Sequence, residues 1–205
     1  MEREASIRDL DFYVLECVCN LLSRRQKKKQ PTVRISVNFS RKHLADKKFV
    51  NKFLHIVDNY HVPHEYLEVE LTEVGNLNDY EIMKEVLQKL KQNGIRTSLD
   101  DFGTGYSSLN MLKNSDLDVI KIDRSFIPAL DEKDSQKKDI FMLNSIIRIA
   151  NGLGMEVVAE GVETREQLEQ LKQLDCHIIQ GFLFDAPLPE AEFEQKLMQG
   201  VYPLT

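Results

Sequence analysis

No apolar run in the sequence approaches the roughly 20 residues that cross a bilayer, and Met1 is followed by Glu-Arg-Glu rather than by a signal peptide. A membrane segment and an export signal are therefore not expected, and a cytoplasmic location is. Cysteine is scarce. Cys17, Cys19 and Cys176 form an odd set without zinc spacing, which argues against a disulfide framework and for free thiols in a reducing compartment. His43, His55, His61, His64 and His177 share no metal spacing either, and surface or core positions are expected for them. A net positive charge is also missing. The formal charge is −6, which argues against a coat for DNA or RNA and leaves room for a small anion held through metal ions. The basic run Arg24-Arg25-Gln26-Lys27-Lys28-Lys29 reads as a solvated helix end, with an interaction patch as the alternative. No Pro/Gly/Ser-rich linker divides the 205 residues, so a single domain over 1–205 is expected.

What is present is ordinary for a globular chain, with 42% hydrophobic and 29% charged residues, enough for one good core. Apolar runs compatible with buried strands occur near Val33–Phe39, Tyr66–Leu71, Thr97–Leu99, Leu117–Ile122, Met155–Ala159 and Cys176–Phe184. Helical patterns occupy Leu10–Leu22, Lys47–Tyr60, Asp79–Asn93, Lys137–Asn151, Thr164–Leu174 and Glu190–Met198, with a weaker one from Ser107 to Lys113. Asn78 or Asp79 is placed to cap one start, and Gly94 and Gly152 to follow helix ends. Such alternation implies parallel strands joined by right-handed crossovers.

The strands end in polar residues suited to metal or phosphate: Asn38, Glu70, the pair Asp100 and Asp101, Lys121, Glu160 and Gln180. In a parallel barrel the C-terminal strand ends gather at one mouth, where active sites form. An open sheet would spread them along a line, so a barrel is favoured. Adjacent carboxylates repel, and a cation such as Mg²⁺ or Mn²⁺ would offset them. The glycines at 103 and 105 allow a sharp turn beside Asp101. Taken alone, the Asp-Asp pair serves equally well as a solvated turn. Together the residues suggest metal-assisted hydrolysis of a phosphate ester.

Several segments then resemble one family. Ile35 to Ser40 is similar to its Asn-Phe-Ser strand, and Glu70-Leu71-Thr72-Glu73 to its ELTE motif. Asp100 to Leu109 reads DDFGTGYSSL, Lys121 to Phe126 reads KIDRSF, and Ala159 to Thr164 reads AEGVET. Gln180 to Phe184, followed by Pro187-Leu188-Pro189, resembles the closing segment. The likeness covers roughly residues 7 to 190, in order, and is to the EAL family of bacterial cyclic di-GMP phosphodiesterases. It implies a modified TIM-type (β/α) barrel and hydrolysis of cyclic di-GMP to the linear dinucleotide pGpG.

By that resemblance Asn38, Glu70, Asp100 and Asp101 are ligands of one or two Mg²⁺ or Mn²⁺ ions, with Asp100 touching both. Lys121 holds the attacking water or offsets phosphoryl charge. Glu160 is a general base or second-metal ligand, and Gln180 positions the water or Glu160. Glu73 anchors the loop from Asp101 to Ser108, a role compatible with capping the next helix. Glu163 is either a site residue or a first-turn carboxylate favoured by the helix dipole. Asn38 alone could be a strand-end residue bonding backbone, Lys121 could serve a structural salt bridge, and Asp123 is expected to do structural work.

The departures from the family also carry expectations. No Glu-Ala-Leu tripeptide occurs, and Asp116 stands where the family commonly has proline. The strand count suggests an N-terminally truncated barrel lacking its first two strands, with six strands expected and one glutamate ligand and one phosphate-contacting arginine missing. Open edges would favour a homodimer or a partner domain covering them. The leading expectation is a phosphodiesterase that lacks its N-terminal part, with activity expected of the parent protein and weakened metal binding expected of this chain without that glutamate. The alternatives are a catalytically silent receptor for the nucleotide and a protein-interaction module.

Overall fold

The computed structural model describes residues 2–72, 77–103, 109–127 and 135–201. Helices and strands alternate: α1 Glu2–Lys27, β1 Ile35–Phe39, α2 Phe49–Asn59, β2 Leu67–Thr72, α3 Leu77–Gln92, β3 Arg96–Phe102, α4 Leu109–Asn114, β4 Val119–Ile122, α5 Ser135–Gly152, β5 Glu156–Ala159, α6 Arg165–Gln173, β6 Ile178–Ile179 and α7 Glu190–Gln199. The six strands form one sheet in chain order, β1 to β6. The β1–β2, β4–β5 and β5–β6 pairs are parallel. Six strands were expected, and six are found among the described residues.

By contacts the chain divides into two compact units, one of residues 1–99 with 106–117 and one of 100–105 with 118–205. In the first, α1 buries Phe12, Leu15, Cys19 and Leu22, the spacing of a single helical face. Val37 and Phe39 point inward from β1, alternating with outward residues as a half-buried strand does. The Phe12, Phe39 and Phe49 rings pack around His43, with centroids 4.9 to 5.2 Å from its ring. The Asp11 Oδ2 atom, reaching from α1, accepts from Ser40 N at 2.9 Å and lies 3.0 Å from His43 Nε2. Arg8 donates to Lys42 O at 2.6 Å, so α1 clamps the turn that leaves β1.

In the second unit β4 is wholly buried, as its continuous apolar run with Lys121 foretells. The α5 residues Leu143, Ile147 and Ala150 are fully buried. Thr164 and Gln167 form a capping box at the start of α6, satisfying helix-end donors reciprocally.

Some local expectations change. The first helix runs well past Leu10–Leu22, because apolar periodicity marks only the packed face while its charged ends are good helix formers. The helix α3 begins at Leu77, which places Asn78 and Asp79 inside it, and Asp79 is a first-turn carboxylate. Gly152 is the last residue of α5, and Gly154, with φ 78°, makes the left-handed turn. The last strand shrinks to Ile178–Ile179, since Leu183 N bonds Val162 O and Phe184 N bonds Gly181 O, which closes a turn. Within the basic run Arg25 is buried. Its Nε and Nη2 atoms donate to Pro31 O at 2.9 and 2.5 Å and hold the exit of α1.

Candidate metal centre and active site

Adjacent side chains on a regular strand point to opposite faces, so Asp100 and Asp101 should diverge. They do not, because Asp101 takes φ 52° near the end of β3; Gly103, with φ 96°, then turns the chain. Aspartate enters the left-handed region more readily than most residues, and glycine enters it freely. The broken alternation brings both carboxylates beside Glu160, and one oxygen from each of the three lies within 4.8 Å of the others.

The backbone ladder of the second unit places the remaining groups. Lys121 pairs with Val158 and Ile122 with Ala159. Past the strand ends, Glu160 N donates to Ile122 O at 3.0 Å and Gln180 N donates to Ala159 O at 2.8 Å. Lys121, 6% exposed, sets its Nζ 2.6 Å from Glu160 Oε1 and 3.5 Å from Asp100 Oδ1. An ammonium among carboxylates in a half-buried site offsets their mutual repulsion and fixes the Glu160 rotamer. The donor set fits a hard divalent cation, being all carboxylate oxygen and already converged.

Asn38 and Glu70 lie in the first unit as register partners near the ends of β1 and β2. Asn38 is exposed, whereas Glu70 is 3% exposed. Gln180 is exposed. Glu163 is exposed too; its N–H donates to Gln167 Oε1 at 2.9 Å and its carboxylate lies 3.7 Å from Arg124. Glu73 and residues 104–108 lie outside the described residues. Asp123 does the structural work expected of it. Its carboxylate accepts from Ser125 N at 2.9 Å, and bonding from the Ser125 hydroxyl, then from its backbone N–H, holds its pKa below the usual range.

A cavity of about 460 Å³ adjoins Gln180, lined by Arg124, Glu163, Gln180, Phe182, Asp185 and Phe193 among others. Phe182 is 68% exposed there, an aromatic face available to a planar ligand. Asp185 is held by Lys196 of α7. Reading the sequence assigns no role to Arg124, Phe182 or Asp185. Arg124 and Phe182 sat inside quoted motifs, but Phe182 reads as one more apolar residue of a strand. Cysteine chemistry is disfavoured at two positions, since burial pushes the Cys19 thiol up to about 12 and Cys176 up to about 11.

Comparisons with known proteins place the chain in a family. The family model described as EAL domain matches residues 1–187. The cyclic di-GMP phosphodiesterase NbdA of Pseudomonas aeruginosa is 37% identical over 196 residues, which are 96% of this chain and 25% of that protein. The probable cyclic di-GMP phosphodiesterase PdeB of Escherichia coli is 34% identical over 81% of this chain and 31% of its own length. The chain thus spans about a quarter of the length of several curated relatives. Among solved structures, the EAL domain of Mycobacterium smegmatis DcpA superposes with a TM-score of 0.85 at 32% identity, covering 93% of this chain and 85% of that one. The PaMucR phosphodiesterase in complex with c-di-GMP gives 0.84 at 31% identity, covering 94% and 76%. The fold is the modified TIM-type (β/α) class of these domains, with six strands among the described residues. On the extent of the family match, the chain belongs to the EAL domain family.

Proposed function

We propose that this chain hydrolyses one phosphodiester of cyclic di-GMP to linear pGpG with Mg²⁺ or Mn²⁺ as cofactor. The observation that carries the reading is the convergence of Asp100, Asp101 and Glu160 around one point, with Lys121 Nζ 2.6 Å from Glu160. A cluster of this kind suits metal-assisted attack on a phosphate, and relatives carry that activity in their names.

In this reading Asp100 and Asp101 hold the ion. When bound, it would polarise the scissile phosphate and lower the pKa of the attacking water. Lys121 donates to a phosphoryl oxygen as charge grows there. Glu160 takes the proton of the water or adds an oxygen donor, and Glu160→Gln separates these roles. As a base only, its replacement lowers turnover and spares Mn²⁺ affinity; as a ligand, it lowers both. Gln180 orients the water or Glu160 through its amide. For Asn38 and Glu70 the support for a ligand role is the motif, and for Glu73 the loop-anchor role rests on the motif as well. Glu163 belongs to the cavity beside Gln180, which suits part of the nucleotide.

The test is incubation with cyclic di-GMP and Mn²⁺ or Mg²⁺, following pGpG by chromatography. Product from the chain and none from Asp100→Ala is the expected result. Equal product from both would sink the assignment of the cluster. The expected homodimer or partner domain and the cytoplasmic location belong to the same reading, and light scattering tests the first. No described helix is long and apolar enough to cross a membrane.

A further inference from the structure

The carboxylates of the candidate metal centre sit in two places, Asp100 and Asp101 in the last residues of β3, which runs into the turn at Gly103, and Glu160 on the turn after β5. Both turns meet the same short element, a single helical turn at Arg124–Phe126 that leaves β4 directly after Lys121-Ile122. This element is tightly bonded within itself. The Asp123 side chain accepts from Ser125 N at 2.9 Å, Phe126 N donates to Asp123 O at 3.0 Å, and Ile127 N donates to Arg124 O at 3.0 Å.

Its contacts with the two turns fall on glycines. Gly103, two residues past Asp101, has φ 96°, and a Cβ built there would come 2.5 Å from Phe126 Cε2. Gly161, next after Glu160, has φ 66°, and its Cβ would come 2.6 Å from Arg124 Cβ. Neither glycine leaves room for a side chain, so the ring of Phe126 and the Cβ of Arg124 press on main chain itself. Main chain moved at Gly103 carries Asp101 with it, and main chain moved at Gly161 carries Glu160.

We propose that the Arg124–Phe126 turn is a template that spaces the two carboxylate-bearing segments, with Phe126 as the positioning residue for Asp101 and the Arg124 Cβ as the stop for Glu160. The inference rests on the metal reading of the cluster. Its physical basis is that metal sites require ligand distances held to within about 0.2 Å. Loss of a group that orients a ligand, without touching the ion, typically costs about 10–100-fold in affinity. On the Arg124 side the contact is made by Cβ, so the guanidinium is dispensable for spacing.

The experiment is a Mn²⁺ titration of the full chain followed by electron paramagnetic resonance, with Tm recorded for every variant. Phe126→Ala should weaken Mn²⁺ binding about 10–100-fold, with Phe126→Leu as the variant to use if alanine does not fold. Excess Mn²⁺ should restore turnover of cyclic di-GMP while KM for the nucleotide stays at the wild-type value, a split that general destabilisation does not produce. Arg124→Ala, which keeps Cβ, should bind Mn²⁺ as the wild type does, whereas Arg124→Gly, which removes it, should not. A folded Phe126→Leu protein with unchanged Mn²⁺ affinity would overturn the template. A wild-type chain that binds no Mn²⁺ would overturn the metal reading first, and the template with it.

Discussion

An ammonium 2.6 Å from one carboxylate and 3.5 Å from another, at 6% exposure, serves two purposes that a substitution can separate. In the absence of metal it offsets repulsion within the Asp100–Asp101–Glu160 cluster. In the proposed reaction it would face the charge that develops on the phosphoryl group. Replacement by methionine keeps the length of the side chain and removes the charge. Lys121→Met should lower kcat by about 10²–10³-fold, the usual cost of one donor aimed at a developing oxyanion. It should also lower the Tm of the metal-free protein and enlarge the Tm rise on adding Mn²⁺, because carboxylates without their ammonium gain more from a dication. A kcat within threefold of wild type at saturating Mn²⁺ would contradict the catalytic role. Lys121, Asp100 and Glu160 were legible in the sequence because each ends an apolar run inside a specific motif. The φ of Asp101 was not, since residue type permits that conformation without requiring it.

At the scale of elements, the clearest test is the start of α6. Thr164 accepts from Gln167 N at 3.2 Å, while Gln167 Oε1 accepts from the backbone N–H groups of Thr164 and Glu163 at 3.1 and 2.9 Å. Thr164→Ala removes half of the capping box and should cost about 0.5–2 kcal/mol in urea unfolding. The same bonds fix the backbone of Glu163 beside the cavity, so KM for the nucleotide should rise if Glu163 touches it. The junction of α1 with the turn after β1 carries a different signature. Burial holds the His43 pKa below its ordinary value, with Arg8 and Lys52 acting the same way and the Asp11 contact opposing them. The unfolded chain therefore takes up this proton near its ordinary pKa of about 6.5, before the folded protein does. Stability from the neutral buried ring is full above that value and is lost as pH falls below it. Melting curves from pH 8 to pH 5 should show Tm falling below about pH 6.5, and His43→Gln should flatten that fall while lowering Tm at pH 8. An equally steep fall in the variant would assign the pH dependence elsewhere. Sequence periodicity found these elements because each needs an apolar face. It overlooked the ends of α1 and the shortness of β6, where charge and hydrogen bonding decide the boundary.

For the molecule as a whole, the order of the strands and the alternation with helices were readable because a parallel pair demands a long crossover between its members. The division into two compact units was not, since no linker composition marks it and one of its boundaries falls within β3, between Leu99 and Asp100. That boundary has a thermodynamic use. The carboxylates of the cluster, Asp100, Asp101 and Glu160, all belong to the second unit, so metal binding there should stabilise the structure that holds them together. A ligand that binds only the folded form adds RT ln(1 + [L]/Kd), about 2.7 kcal/mol at a hundredfold excess over Kd. Thermal unfolding with Mn²⁺ from zero to saturation should therefore show a concentration-dependent rise in Tm, reversed by EDTA. Asp100→Ala should abolish the rise without a large loss in metal-free Tm, because removing one of several mutually repelling carboxylates relieves strain as well as deleting a ligand. Ca²⁺ serves as the comparison. It prefers more oxygen donors at longer distances, so a site built for Mg²⁺ or Mn²⁺ should respond to it with a smaller shift at equal concentration. A Tm that ignores every divalent ion, in a protein that still makes pGpG, would move the catalytic metal away from this cluster.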